Sequence, residues 1–217
     1  MQPFRTLTSL AAPLDRVNVD TDQIIPKQFL KRIERTGYGE FLFFDWRRGA
    51  DGSPDAAFVL NQPQYKDAQI LVAGRNFGCG SSREHAAWAL ADFGFRCVIA
   101  PAFADIFFSN AGKNGILLVV LPDEQVTTLL ERAKQPGYKL SVSLEDQTVR
   151  DDQGFLQSFQ IDGFRRECLL EGLDDIALTL RHAAALDSFE KRHDTATWLT
   201  PRPEVPHAAA TSTETRA

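Results

Sequence analysis

The run Gly78-Cys79-Gly80-Ser81-Ser82-Arg83-Glu84-His85 sets two hydroxyls and a guanidinium side by side in the space of three residues. Before it, residues 69–74 form a short apolar block closed by Gly74, which reads as an inner strand of an α/β sheet. After it, an alanine-rich stretch from Glu84 reads as a helix. The serines therefore fall at a helix N-terminus, where free backbone N–H groups and the positive end of the macrodipole favour a carboxylate or phosphate. Three familiar glycine loops do not fit these letters. A dinucleotide fingerprint needs glycine at Arg83, a P-loop needs Gly-Lys-Ser/Thr at Gly80-Ser81-Ser82, and the hydrolase elbow lacks its second glycine. Helix capping by Ser81 or Ser82, with Glu84 or His85 in the first turn, is the structural alternative. A cap accounts for one serine, but not for the pair or for Arg83. His85 is either a general acid or base near the turn or a structural side chain bonded to backbone. Cys97, inside an apolar strand, reads as a small core residue, whereas Cys79, in the turn itself, is a candidate thiol nucleophile with His85 nearby.

An anion-binding turn needs a scaffold, and the 217 residues, 43% of them hydrophobic, are enough to build one compact domain. That domain is expected over residues 1–194, with a disordered Pro- and Thr-rich tail over 195–217. No apolar run is long enough for a membrane span, and no secretory signal opens the chain, so the expected location is cytoplasmic. A net charge of −5 with no basic stripe argues against nucleic acid as a partner. Cys79, Cys97 and Cys168 are three scattered thiols without C-x-x-C spacing, which excludes a disulfide scaffold and offers no cluster or zinc signature.

The elements that position the turn follow an α/β rhythm. Strands are predicted over Ile70–Ala73, Cys97–Ala100 and Ile116–Leu121, with a helix over Ala102–Ala111 between the last two. An amphipathic helix follows over Asp123–Lys134, ended by Pro136-Gly137. Shorter strands are expected near Lys139–Leu144, Thr148–Arg150 and Leu156–Ile161, then one long helix over Glu167–Ser188 whose Leu169, Leu170, Leu173, Ile176, Ala177 and Leu180 face the core. Near the N-terminus, a strand-like alternation at Val17-Asn18-Val19 runs through the polar turn Asp20-Thr21-Asp22 into a basic segment, Lys27–Arg35. The aromatics of Phe41–Trp46 are either a partner surface or core filling. Lys113 and Asn114 either face a site at the strand ends or close the preceding helix.

These letters resemble the small-subunit family of 3-isopropylmalate dehydratase, within the aconitase swivel-domain superfamily. The resemblance runs from about Leu14 to Ala183, through residues 18–26, 44–47, 74–86, 104–107, 113–116, 166–170 and 172–175. It implies an α/β fold, a swivelling β/β/α domain with a largely parallel central sheet and peripheral shorter strands. It also implies half an enzyme: a hydro-lyase working with a large iron–sulfur partner that holds a [4Fe–4S] cluster on the large subunit, none being bound by this chain. The reaction so implied converts 2-isopropylmalate to 3-isopropylmalate through 2-isopropylmaleate in leucine biosynthesis.

By the same resemblance Ser81 is the catalytic base, acting as an alkoxide, and Arg83 binds a carboxylate of the hydroxy-diacid substrate. The local chemistry agrees, since backbone N–H groups, a helix start and a guanidinium stabilise an ionised serine. Ser82 adds a donor, and Arg83 grips in two places where Lys offers one. Asp22 matches a superfamily active-site aspartate, with hydrogen bonding inside its own turn as the alternative. Lys31 and Arg32 are candidates for the substrate's distinguishing group, against a solvated basic face. Ile24, Ile25, Phe29 and Leu30 are the apolar company an isopropyl group would want. The rival functions are the same architecture acting on a homoaconitate- or citraconate-type acid, a non-catalytic carboxylate-binding module, and a thiol hydrolase using Cys79.

Overall fold

The computed structural model describes residues 1–32, 34 and 36–193; the expected tail lies outside them. Residues Met1–Ala177 form one compact unit and a second begins at Leu178.

The first unit is built on a seven-stranded mixed sheet. Its strands are β1 (Thr6–Leu14), β2 (Ile70–Ala73), β3 (Cys97–Ala100), β4 (Leu117–Val120), β5 (Lys139–Ser143), β6 (Thr148–Arg150) and β7 (Leu156–Ser158), in spatial order β4-β3-β2-β1-β5-β6-β7. The central β1 serves two partners. Its first half, Thr6 to Leu10, pairs antiparallel with β5, and its second half, Ala11 to Leu14, pairs parallel with β2. The parallel β2 and β3 are buried at every position. Alternate residues feed two cores: Leu71, Ala73, Val98 and Ala100 enter one, and Ile70, Val72, Cys97 and Ile99 the other. This two-faced burial is why they read as continuous apolar runs.

The helices of this unit are α1 (Thr21–Ile24), α2 (Phe44–Arg47), α3 (Glu84–Phe93), α4 (Asp105–Lys113), α5 (Asp123–Ala133) and α6 (Gly163–Glu171). Helices α3 and α4 share a core with Leu42, Phe43 and Phe58, while α5 and Leu169 of α6 pack in the other. The aromatic segment is thus largely core: Leu42 and Phe43 are fully buried, and Trp46 stacks on Phe43. Asn114 hydrogen-bonds the Asn110 carbonyl and so closes α4, and Lys113 pairs with Asp175 at 2.8 Å.

Three expectations are corrected. The strand β1 is absent from the sequence reading, because Pro13 and the polar Thr8 and Ser9 interrupt its pattern. The Val17-Asn18-Val19 alternation is no strand; Asn18 has φ +54°, Val17 is exposed and Val19 is buried. The long helix breaks into α6, α7 (Asp175–Leu180) and α8 (Ala183–His193). Gly172, at φ +69°, ends α6 in the left-handed conformation, and the Asp174 carboxylate accepts the Ala177 N–H at 2.7 Å to start α7. Leu169 is buried as expected, but Ile176 and Leu180 are 72% and 61% exposed, so the apolar face is not core at those positions.

Candidate active site

The turn that leaves β2 is fixed by its backbone. Gly78 (φ +79°) and Gly80 (φ +89°) supply left-handed conformations, and the Gly78 and Cys79 N–H groups both donate to the Val19 carbonyl, at 2.7 and 3.2 Å. A Cβ at residue 78 would collide with the Phe107 ring, which is itself buried. Asp20 pairs with Cys79 as a parallel bridge, and the Thr21 hydroxyl donates to the Ser81 carbonyl at 2.9 Å. The start of α1 is therefore docked along the turn.

Asp20, rather than Asp22, makes the local cap of α1. Its carboxylate accepts the Gln23 N–H at 2.7 Å, and the Gln23 side chain returns to the Asp20 N–H at 3.0 Å, a complete capping box. That leaves Asp22 free to reach across. Its two oxygens take Nη1 and Nη2 of Arg83, the second at 2.8 Å, and Arg83 Nη1 also donates to the Ile25 carbonyl at 3.4 Å. The Arg83 side chain is only 13% exposed, against 52% for Asp22. The guanidinium hydrogen bond holds the Asp22 pKa below the usual carboxylate value, and Lys27 adds its charge and backbone N–H.

Ser81 and Ser82 are exposed. Neither caps α3: the N-cap residue is Arg83, and it makes no side-chain cap bond. His85 lies against rings, with centroids 4.6 Å from Trp88 and 5.4 Å from Tyr38. Burial first, opposed by Glu84 and helped by Arg83, lowers its pKa. The Cys79 thiol is pushed up, by burial and by the Asp20 charge, which disfavours the thiolate a hydrolase needs.

The other candidates lie differently. Lys31 is exposed at the end of the 3₁₀ turn Lys27–Lys31. Arg32 places its guanidinium 5.2 Å from the Phe41 ring centroid and 3.6 Å from Glu34. Phe29 stacks on Phe41 at 4.1 Å, and Phe29 and Leu30 remain partly exposed. Ile24 and Ile25 are fully buried and cannot meet a substrate. Thr21 and Lys27 escape the sequence reading as site residues; the signal for both is adjacency to Asp22. Among the described residues, no group of three or more His, Cys, Asp or Glu could hold a metal ion, and the buried Cys97 thiol is pushed upward by burial.

A glycine-serine-serine-arginine turn is thus delivered from a parallel strand onto a helix start, beside an antiparallel extension of the same sheet. The family described as aconitase C-terminal domain matches residues 1–124. Residues 127–163 match a family described as LeuD_N, and residues 175–202 match the C-terminal domain of the 3-isopropylmalate dehydratase small subunit. Curated relatives named 3-isopropylmalate dehydratase small subunit include one from Acidobacterium capsulatum, 73% identical over 93% of this chain and 96% of its own length. Another, from Koribacter versatilis, is 61% identical over 89% of this chain and 100% of its own length. A solved structure titled 3-isopropylmalate dehydratase, from Methanocaldococcus jannaschii, superposes with a TM-score of 0.63 at 26% identity, covering 84% of this chain and 99% of that one. The chain belongs to the 3-isopropylmalate dehydratase small-subunit family.

Proposed function

We propose that this chain is the small subunit of a hydro-lyase that interconverts 2-isopropylmalate and 3-isopropylmalate by dehydration and rehydration, through 2-isopropylmaleate, in cytoplasmic leucine biosynthesis. The partner is a large iron–sulfur subunit whose [4Fe–4S] cluster supplies the Lewis acidity for the departing hydroxyl. This chain's share is the proton and the carboxylate. The Ser81 oxygen takes the proton from carbon and later returns it. Ser82 and backbone N–H groups are the donors suited to the negative charge that the ionised Ser81 carries before it takes the proton and again after it returns it.

The observation that carries this reading is the state of Arg83. A guanidinium has five N–H bonds. Asp22 and the Ile25 carbonyl take three of them, two on Nη1 and one on Nη2. Among the described residues Nε–H and the second Nη2–H have no acceptor, and they form one edge, the geometry that grips a carboxylate at two points. Asp22 is then a positioning residue for Arg83 rather than a substrate ligand, since its own charge repels a dianion. Partly exposed Leu30 and Phe29 are the apolar groups suited to the isopropyl side chain, with Lys31 and Arg32 beside them for the substrate's polar end.

The test is turnover of the reconstituted pair on 2-isopropylmalate, followed by absorbance of the unsaturated intermediate. Loss of a positioned base costs about 10²- to 10⁴-fold, so Ser81→Ala should fall in kcat by that order with assembly intact. Unchanged turnover would remove Ser81 from the mechanism. Faster turnover on a homoaconitate- or citraconate-type acid would instead move the substrate assignment.

A further inference from the structure

Thr21 is 2% exposed and one of the few buried polar residues of the chain, with Ser9 and Ser143. Its two donors go to the same turn: the hydroxyl to the Ser81 carbonyl and the backbone N–H to the Cys79 carbonyl, each at 2.9 Å. Those carbonyls belong to the residues on either side of Gly80, whose φ is +89°. A Cβ at residue 80 would sit 3.4 Å from Asp20 Cβ and 3.6 Å from Thr21 Oγ1, so the two segments are in close contact there.

A peptide unit is planar, and in the trans form its C=O and N–H point in opposite directions. Among the described residues no peptide bond is cis. Pinning the Cys79 and Ser81 carbonyls onto Thr21 therefore turns the Gly80 and Ser82 N–H groups the opposite way. Among the described residues neither N–H has a hydrogen-bond acceptor, and Ser81 and Ser82 are exposed. The Thr21 hydroxyl, by holding the Ser81 carbonyl, thus sets the plane of the peptide that follows the first serine and carries the N–H of the second.

We propose that Thr21 is a positioning residue for catalysis: through the Ser81 carbonyl it orients the Ser82 backbone N–H toward the negative charge of the ionised Ser81 oxygen or of the bound carboxylate. This rests on the assignment of Ser81 as base. It adds that the base is supported from beneath by a residue that touches neither substrate nor the reacting atoms. Losing an oriented donor of this kind costs about 10²- to 10³-fold when the donor itself is removed. Loss of its orienting partner leaves the N–H in place but free to turn, so a smaller effect of about 10- to 100-fold is expected.

The experiment compares Thr21→Val, which keeps the shape and removes the hydroxyl, with Thr21→Ser, which keeps the hydroxyl and removes the methyl. Both are assayed as the reconstituted two-subunit enzyme on 2-isopropylmalate. Thr21→Val should lower kcat about 10- to 100-fold with a smaller change in KM, and should move the acidic limb of the pH–rate profile to higher pH, because the ionised serine is less stabilised. Thr21→Ser should restore kcat to within a few-fold even where its melting temperature is lower. A Thr21→Val enzyme with wild-type kcat and pH profile overturns the proposal, as does a Thr21→Ser enzyme as slow as Thr21→Val, which would make the methyl packing responsible. Should Thr21→Val not assemble, Thr21→Ala against Thr21→Ser decides the same question through the same ratio of kcat. Ser81→Ala is run alongside. If it retains turnover, the base assignment fails, and Thr21 is then judged on amide hydrogen exchange at Ser82 alone: unaltered exchange in Thr21→Val overturns the orienting role, and faster exchange supports it.

Discussion

Arg83 carries a charge that must be both fixed and available, and Asp22 reconciles the two demands. A bare arginine in a shallow turn spreads over many rotamers and loses about 2 kcal/mol of side-chain entropy when it is caught. Two hydrogen bonds to one carboxylate remove that freedom and leave the Nε edge of the guanidinium for the carboxylate of the proposed substrate. Half-exposed pairs of this kind are worth about 1 kcal/mol or less in stability, so the effect should show in binding more than in folding. Asp22→Asn is expected to raise KM several-fold with a near-wild-type melting temperature. Arg83→Lys, which replaces a two-point edge by a point charge, should raise KM by about 10-fold or more, roughly 1.4 kcal/mol. Steady-state kinetics of the reconstituted pair check both, and an Arg83→Lys enzyme with wild-type KM would show that the arginine does not hold the substrate. The residue types of this site are legible from their spacing: Ser81, Ser82 and Arg83 sit together in the chain and in space. The partnership of Asp22 with Arg83, 61 positions apart, is not, because it depends on β1 and β2 running parallel and delivering both loops to the same end.

At the scale of elements, the turn is positioned by two things that contribute no chemistry. Gly78 gives φ +79° and clearance for Phe107 of α4, and Val19 gives a carbonyl that receives two turn N–H groups. Gly78→Ala meets both obstacles together. A left-handed conformation costs an L residue about 1–2 kcal/mol, and forcing a methyl into a filled core about 1–3 kcal/mol. A loss of about 2–5 kcal/mol is expected by denaturant titration, with turnover lost in the fraction that still folds. Destabilisation below about 1 kcal/mol would mean that the Phe107 contact yields easily. The inner strands are legible for the same reason that they are buried on both faces. The β1 strand escapes because its pattern is compromised by serving two partners, polar where it meets β5 and broken by Pro13 where it meets β2. The break of the C-terminal helix is written in Gly172 and Asp174, but continuous apolar spacing across them gives the opposite signal.

The whole molecule couples these sites to pH, and all the resolved shifts in its acidic range act in one direction. Burial against Tyr38 and Trp88 lowers the His85 pKa from 6.5, so the unfolded chain binds a proton more readily. Stability contributed by neutral His85 is full above about pH 6.5 and declines as pH falls through that value. Four aspartates then act lower down, among them Asp51, depressed by the hydroxyl and backbone N–H of Ser53. Asp22 is depressed by Arg83, and Asp174 by the Ala177 N–H. Asp151, with a fully enclosed side chain, is raised by burial yet held lower overall by Tyr138 at 2.7 Å, by the Phe155 and Gln153 N–H groups and by Arg132 at 2.6 Å. Their contribution is present above the unfolded value of 3.8 and is lost as pH falls through their folded values. Melting temperature should therefore fall in two stages on acidification, a shallow one beginning below about pH 6.5 and a steep one below about pH 4. His85→Gln, which cannot titrate, should remove the first stage and leave the second, whatever its effect on the absolute melting temperature. A variant that keeps the shallow stage would place its origin elsewhere. Asp151 ties α5 to the β6–β7 hairpin at one edge of the sheet while Asp22 ties α1 to the turn that leaves β2 near its middle, so the steep stage should abolish structure at both places together, and acid unfolding followed by tryptophan fluorescence and by amide exchange in β6 should give one midpoint.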